Sequence, residues 1–186
     1  MSTIGIIVII VVAAIVGLAL LFLAFRYQSR RLQDKFGAEY ERSVTQLGRS
    51  RAEAELQRRQ SRVRRMQIRP LSDAERERLA AAWRRVQGGF VDDPGGSLTQ
   101  ADGLVTEAMT ARGYPVHDFE ECAADISVNH STVVSDYREA HEIALRRDRG
   151  EATTEDIRRA LVHYRMLLED LLSAPATERE RSPSTV

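Results

Sequence analysis

Residues 68–94 read IRPLSDAERERLAAAWRRVQGGFVDDP, and they hold one complete helix with its start and its stop. Pro70 disfavours helical geometry at Arg69 and lacks a backbone donor, so it ends whatever helix precedes it. Ser72-Asp73-Ala74-Glu75 has the spacing of a capping box, in which the serine hydroxyl and the glutamate carboxylate each satisfy an orphan backbone N–H. Leu79, Trp83, Val86 and Phe90 then fall on one face, and Gly88-Gly89 closes the segment. Asp93-Pro94 opens the next helix by the same logic, a cap followed by a proline tolerated in the first turn.

Toward the C-terminus the pattern repeats. Leu98, Ala101, Val105, Ala108 and Met109 predict a helix over roughly 94–112 that stops at Gly113. Tyr114-Pro115 makes a turn, and Asp118 with Glu121 starts a short helix that buries Phe119, Cys122, Ala123 and Ile126. Asn129 or Ser131 is the expected cap of a fourth helix ending near Gly150, with Val134, Tyr137, His141 and Ala144 on one face. Thr153 or Thr154 caps the last, whose Ile157, Leu161, Tyr164, Leu168 and Leu171 form the most regular stripe in the chain. Sustained two-residue alternation is missing throughout, so the fold expected for 70–172 is a compact all-α domain of about five helices. The tail 173–186, SAPATERERSPSTV, is polar and expected to be disordered.

Toward the N-terminus, residues 4–25 carry no charge across 22 positions, and as a helix they would span roughly 33 Å. A transmembrane helix is expected; a cleaved leader would want a basic start, a shorter apolar run and a small-residue cleavage site. Arg26, Arg30, Arg31 and Lys35 follow at once and no basic side chain precedes. The positive-inside rule then leaves residues 1–3 outside, the bulk in the cytoplasm and the protein in the plasma (inner) membrane. Ala13 and Gly17 form a small-xxx-small pair through which two anchors could pack as a homodimer.

Formal charge is zero overall, yet residues 26–69 carry 13 basic and 5 acidic side chains, net +8, and residues 70–186 carry 14 and 22, net −8. The basic segment is expected to be a long juxtamembrane helical stalk, with Gly37 and Gly48 as its weak points. Leu32, Phe36, Tyr40, Val44 and Leu47 make one stripe that needs a partner: a second copy in a coiled coil, the membrane interface, or the folded domain turning back. Arg51, Arg58, Arg62, Arg65 and Arg69 make a second stripe, a candidate contact for anionic lipid or for a protein partner. Nucleic acid fits less well, because few aromatics interleave and the domain beyond is acidic.

The densest group of acid, base and metal-ligand types is HDFEECAADISVNHSTVVSDYREAHE, with His117, Cys122, His130 and His141. It lacks the His-Glu-xx-His and Cys-xx-Cys spacings of zinc sites. Cys122 reads as a small buried hydrophobe, His141 as a half-buried core histidine, and His163 as part of a solvated face. The glycines of VDDPGGSLTQADG lack the spacing of a phosphate-binding loop. Catalytic residues, metal and cofactor are accordingly not expected; an enzyme of unrecognised type stays an alternative. The single cysteine excludes an intrachain disulfide.

Taken together, the anchor, KFGAEYERSV, IRPLSDAERERLAAAWRRVQGGFVDDP, RGYPVHDFEECAADISV and EDIRRALVHYR resemble a group of uncharacterised bacterial single-pass membrane proteins. The resemblance implies an inner-membrane setting and a cytoplasmic helical domain, and brings no activity with it. The functional expectation is a membrane-tethered interaction or scaffolding module.

Overall fold

The computed structural model describes residues 3–173, apart from the side chains of 3–11 and of Ala14. Among the described residues the protein is all-α, with eight helices and no strand. These are α1 Thr3–Phe36, α2 Ala38–Leu47, α3 Arg49–Val63, α4 Asp73–Gly89, α5 Pro94–Arg112, α6 Phe119–Ile126, α7 Val134–Asp148 and α8 Thr154–Ser173. The expected tail, from 174 onward, and Met1-Ser2 lie outside the described residues.

The helix starts follow the local chemistry. At α4 both halves of the capping box form between Ser72 and Glu75. Asp93 accepts from the Gly96 N–H at 2.8 Å and Asp118 from the Glu121 N–H at 2.8 Å. Thr153 and Asp156 cap α8 reciprocally, at 3.1 and 2.9 Å. The start of α7 differs from expectation: it follows Val133 without a side-chain cap. Asn129 is occupied elsewhere, donating to the Tyr114 hydroxyl at 3.0 Å, so a tertiary contact outcompetes the local one.

α8 lies between α5 and α7, and α4 packs on α5. Tyr164, Leu167, Leu168 and Leu171 of α8 are fully buried, and Leu98, Val105 and Met109 of α5 and Ile143 of α7 meet them in the core. At about 1.5–3 kcal/mol for each large apolar side chain removed from water, these contacts are the main favourable term.

The long juxtamembrane helix of the expectation is instead three pieces. Gly37, at φ 49°, ends α1, and Gly48, at φ 75°, separates α2 from α3. α3 stops at Val63, well short of Pro70; residues 64–66 turn, and the chain then runs along the C-terminal end of α5. There the Arg69 N–H donates to the Arg112 carbonyl at 3.0 Å, with Ile68 and Leu71 buried. α2 folds back along α1 and α3 back along α2. Gln33 reaches Glu41 at 3.1 Å, Tyr40 reaches Glu53 at 2.9 Å and Arg59 reaches Glu39 at 3.0 Å. Leu32, Phe36 and Tyr40 are buried and Val44 packs beside them, in the same apolar cluster that contains Leu171. Of the three partners open to that stripe, the chain itself covers it, and only Leu47 is left exposed.

Among the described residues no helix is long and apolar enough to cross a membrane. The uncharged run 4–25 lies within α1, but the side chains of its first eight residues fall outside the described set.

Candidate functional site

Two places gather charged and polar side chains: the seam where the folded-back hairpin α2–α3 meets α6 and α7, and a cleft between α5, α6 and α7.

At the seam Glu39, only 4% exposed, accepts from Arg59 at 3.0 Å and from Arg138 at 3.2 Å. Arg138 also pairs with Glu120. Beside it, the fully buried Asp125 takes Arg62 on one carboxylate oxygen, Oδ1, at 2.6 and 2.7 Å, and Arg62 reaches Glu121 at 3.1 Å. The second Asp125 oxygen is buried without a partner among the described residues. Burial pushes the Asp125 carboxyl above its ordinary value, and Arg62 only partly offsets that. The chemistry is that of a desolvated ionic clasp: each charge is tolerable inside only because its partner is there.

The five arginines read as one face are split by this geometry. Arg62 is turned inward into the clasp. Arg58 is exposed and pairs with Glu55 on its own helix at 3.1 Å. Arg65 and Arg69 lie beyond the end of α3, and Arg69 pairs with Glu75 at the start of α4. Arg51 is exposed and makes no ion pair with the described residues. Ala13 is exposed on α1, and a Cβ placed on Gly17 would meet no atom.

The cleft holds part of the group rich in ligand-type residues. Asp102, Asp118, Cys122, Tyr137 and His141 line a cavity of about 140 Å³ with Phe119. It adjoins a wider depression of about 550 Å³, rimmed by Arg42, Glu120, Arg138, Glu139 and Glu142. His141 stacks flat on Phe119 with ring centroids 3.6 Å apart. Tyr164 donates to Asp102 at 2.7 Å. Burial, seconded by Asp125, raises the Cys122 thiol to about 11, so at neutral pH it is a thiol in contact with the Met109 sulfur and a poor nucleophile. Tyr137 and Tyr164 are likewise pushed well up by burial. The arrangement is a small cavity of mixed polar and aromatic lining beneath a mixed-charge rim.

The other histidines lie apart. His117 is exposed. His130 is buried and bonds through Nδ1 to Asp170 of α8. His163 departs from the solvated face expected of it: it is largely covered, with Nδ1 2.8 Å from Asp136 and Nε2 3.5 Å from Glu139, and links α8 to α7. Among the described residues, no three of His, Cys, Asp or Glu converge to hold a metal ion.

Sequence reasoning passed over Glu39, Asp125 and Arg138. Asp125 had a signal: within the eight-residue helix Phe119–Ile126 it is flanked by Cys122, Ala123, Ala124 and Ile126, and a carboxylate buried among such neighbours must be paired. Glu39 beside Tyr40 carried none, because its burial depends on the fold-back.

No family, curated protein or solved structure matches the chain.

Proposed function

We propose that the protein is a single-pass membrane protein of the inner membrane, N-terminus out, whose cytoplasmic helical body is an interaction module held against the bilayer. One observation carries this reading: α1 has two ends of opposite character on one unbroken helix. At its C-terminal end Phe36 is fully buried and Leu32 is 4% exposed, in the core of the body. Further up, Val12, Ile15, Val16, Leu18, Leu20, Leu21, Phe22, Leu23 and Phe25 are each between 52% and 68% exposed, with no described protein surface against them. A row of that size open to water is costly at about 25 cal/mol per Å², and lipid removes the cost. Arg26, Arg30, Arg31 and Lys35 begin at its edge and set the orientation. The body is thus tethered through a helix rooted in its own core instead of a loose linker, which fixes how it faces the bilayer.

The depression over α6 and α7 supplies the surface for a protein partner, with the Phe119–His141 stack as its floor and both charge signs on its rim. Two measurements test the reading. Alkaline carbonate should leave the full chain in the membrane pellet, and protease added to intact spheroplasts should spare the body; release by carbonate, or digestion, overturns the anchor or its direction. A photoreactive residue at Leu145 should crosslink in cells to one discrete species missing when the probe is at Arg84 on α4. The same species from both positions removes the depression as the binding surface.

A further inference from the structure

The tip of the α2–α3 hairpin lies level with the end of the uncharged run of α1. The hydrogen bonds between helices fix that level. Ser29 of α1 donates to Glu53 of α3 at 2.7 Å. Ser29 stands four residues beyond Phe25, about 6 Å along the helix axis. Arg49 stands four residues before Glu53, the same distance back along α3. The two helices run the same way, because α2 between them is antiparallel to both. Gln33 meets Glu41 near the Gly37 turn, and Arg59, late in α3, meets Glu39 at that same turn. Arg49 therefore returns to the height of Phe25 and Arg26, about 15 Å along α3 from Arg59 of the clasp.

What the tip displays suits that height. Residues 45–51 are all exposed, and among them Leu47 is a large apolar side chain 44% exposed with no described neighbour to cover it. Its only charges are Arg49 and Arg51, both basic; Arg49 is held by Glu53 at 3.1 Å, and Arg51 makes no ion pair with the described residues. Facing it on α1, residues 26–31 carry three arginines and no acid, with the Tyr27 ring exposed and the Arg31 guanidinium 5.5 Å above it. An exposed leucine, an aromatic ring and unopposed arginines at one depth match the headgroup layer, where amphipathic rings and basic side chains collect.

We propose that the α2–α3 tip is a foot that stands on the membrane: Leu47 enters the headgroup layer, and Arg51, with Arg26 and Arg30 of α1, binds the phosphates of anionic phospholipid. This rests on α1 being the anchor. It moves the lipid contact away from Arg58, Arg62, Arg65 and Arg69, which lie deeper or are paired within the protein, and leaves Arg51 as the only member of that stripe at the bilayer. A two-point attachment, anchor plus foot, would also stop the body from rotating about the axis of α1.

The test uses the full chain in vesicles of two parts phosphatidylcholine to one part phosphatidylglycerol, with Leu47→Cys or Val162→Cys carrying an environment-sensitive fluorophore and headgroup spin-labelled lipid as the quencher. Val162 is exposed on α8, away from α1, and the native Cys122 is buried and stays unlabelled. Quenching is expected at position 47 and not at 162. It should fall when phosphatidylglycerol is omitted, and Arg51→Gln should shift the bound-to-free ratio of the tip by about fivefold. Equal quenching at 47 and 162, or quenching at 47 indifferent to both the anionic lipid and Arg51, overturns the foot while carbonate resistance upholds the anchor. A chain that carbonate strips from the vesicles overturns the anchor, and the foot with it.

Discussion

Glu39 holds two guanidinium groups, from Arg59 of the hairpin and Arg138 of α7, at a site closed to solvent. Such a group is worth little as an ion pair and much as a clasp, since removing one member strands the others. Glu39→Ala should therefore cost about 3–5 kcal/mol in urea unfolding of the full chain in detergent, and Glu39→Gln less, because the amide oxygen still accepts; equal costs would show that packing and not charge holds the seam. Asp125 adds a pH signature. Its folded pKa lies above the unfolded value, for which about 3.9 is ordinary, so the folded state favours the protonated form. The stability of wild type relative to Asp125→Asn should then be largest below that value and shrink as pH rises through the raised one; an unchanged difference across that interval contradicts the burial argument. Asp125 was passed over, although its neighbours Cys122, Ala123, Ala124 and Ile126 are apolar. Its partner was not legible, because Arg62 is brought to it across 63 residues by the fold-back.

The helices were legible where their ends are decided within four residues. Ser72, Asp93, Asp118 and Thr153 cap as their spacing predicts, each by a bond to the third residue on. The hairpin was only half legible: Gly37 and Gly48 marked where a rod would fail, but its direction depends on Ser29, Tyr40 and Arg49 converging on Glu53, which no periodicity contains. Gly48, at φ 75° and ψ 154°, occupies a region close to glycine-only, so Gly48→Ala should cost about 1–3 kcal/mol and free the tip, read as lost unfolding stability together with faster amide exchange over residues 45–51. Burial pushes the Glu53 carboxyl up, but the bonds from Ser29, Arg49 and Tyr40 outweigh it and hold the folded pKa below its ordinary value. That stabilisation is complete above about pH 4.3, the usual value for glutamate, and is lost as pH falls through the depressed one. The stability of wild type relative to Glu53→Gln should accordingly shrink on acidification, the reverse of the Asp125 trend, and a difference that grows on acidification would rule out these bonds as the hairpin's fastening.

At the scale of the molecule, the charge split of +8 and −8 becomes a docking rule. Arg59 and Arg62 of the basic segment turn inward, onto Glu39 and onto Asp125 with Glu121, Arg42 reaches Glu120 at the surface, and Arg26, Arg30 and Arg51 stay outward. The asymmetry was visible in the sequence; its division between an inner clasp and an outer face was not, since both sets share one composition. The two halves of α1 differ in burial, one exposed and proposed as the anchor, the other in the core, and a pair of truncations separates them. Residues 12–25 touch nothing described in the body, so a chain lacking 2–25 should unfold within about 0.5 kcal/mol of the full chain in the same detergent, followed by circular dichroism in urea. A chain lacking 2–36 also loses the buried Leu32 and Phe36 and the Ser29 bond to Glu53, and it should lose about 3–6 kcal/mol, two large side chains' worth of burial. If the shorter deletion costs as much as the longer, the exposed apolar row is packed on the body in solution and α1 is not an anchor. If neither costs anything, Leu32 and Phe36 do not belong to the core, and α1, the proposed anchor, is not rooted in the body.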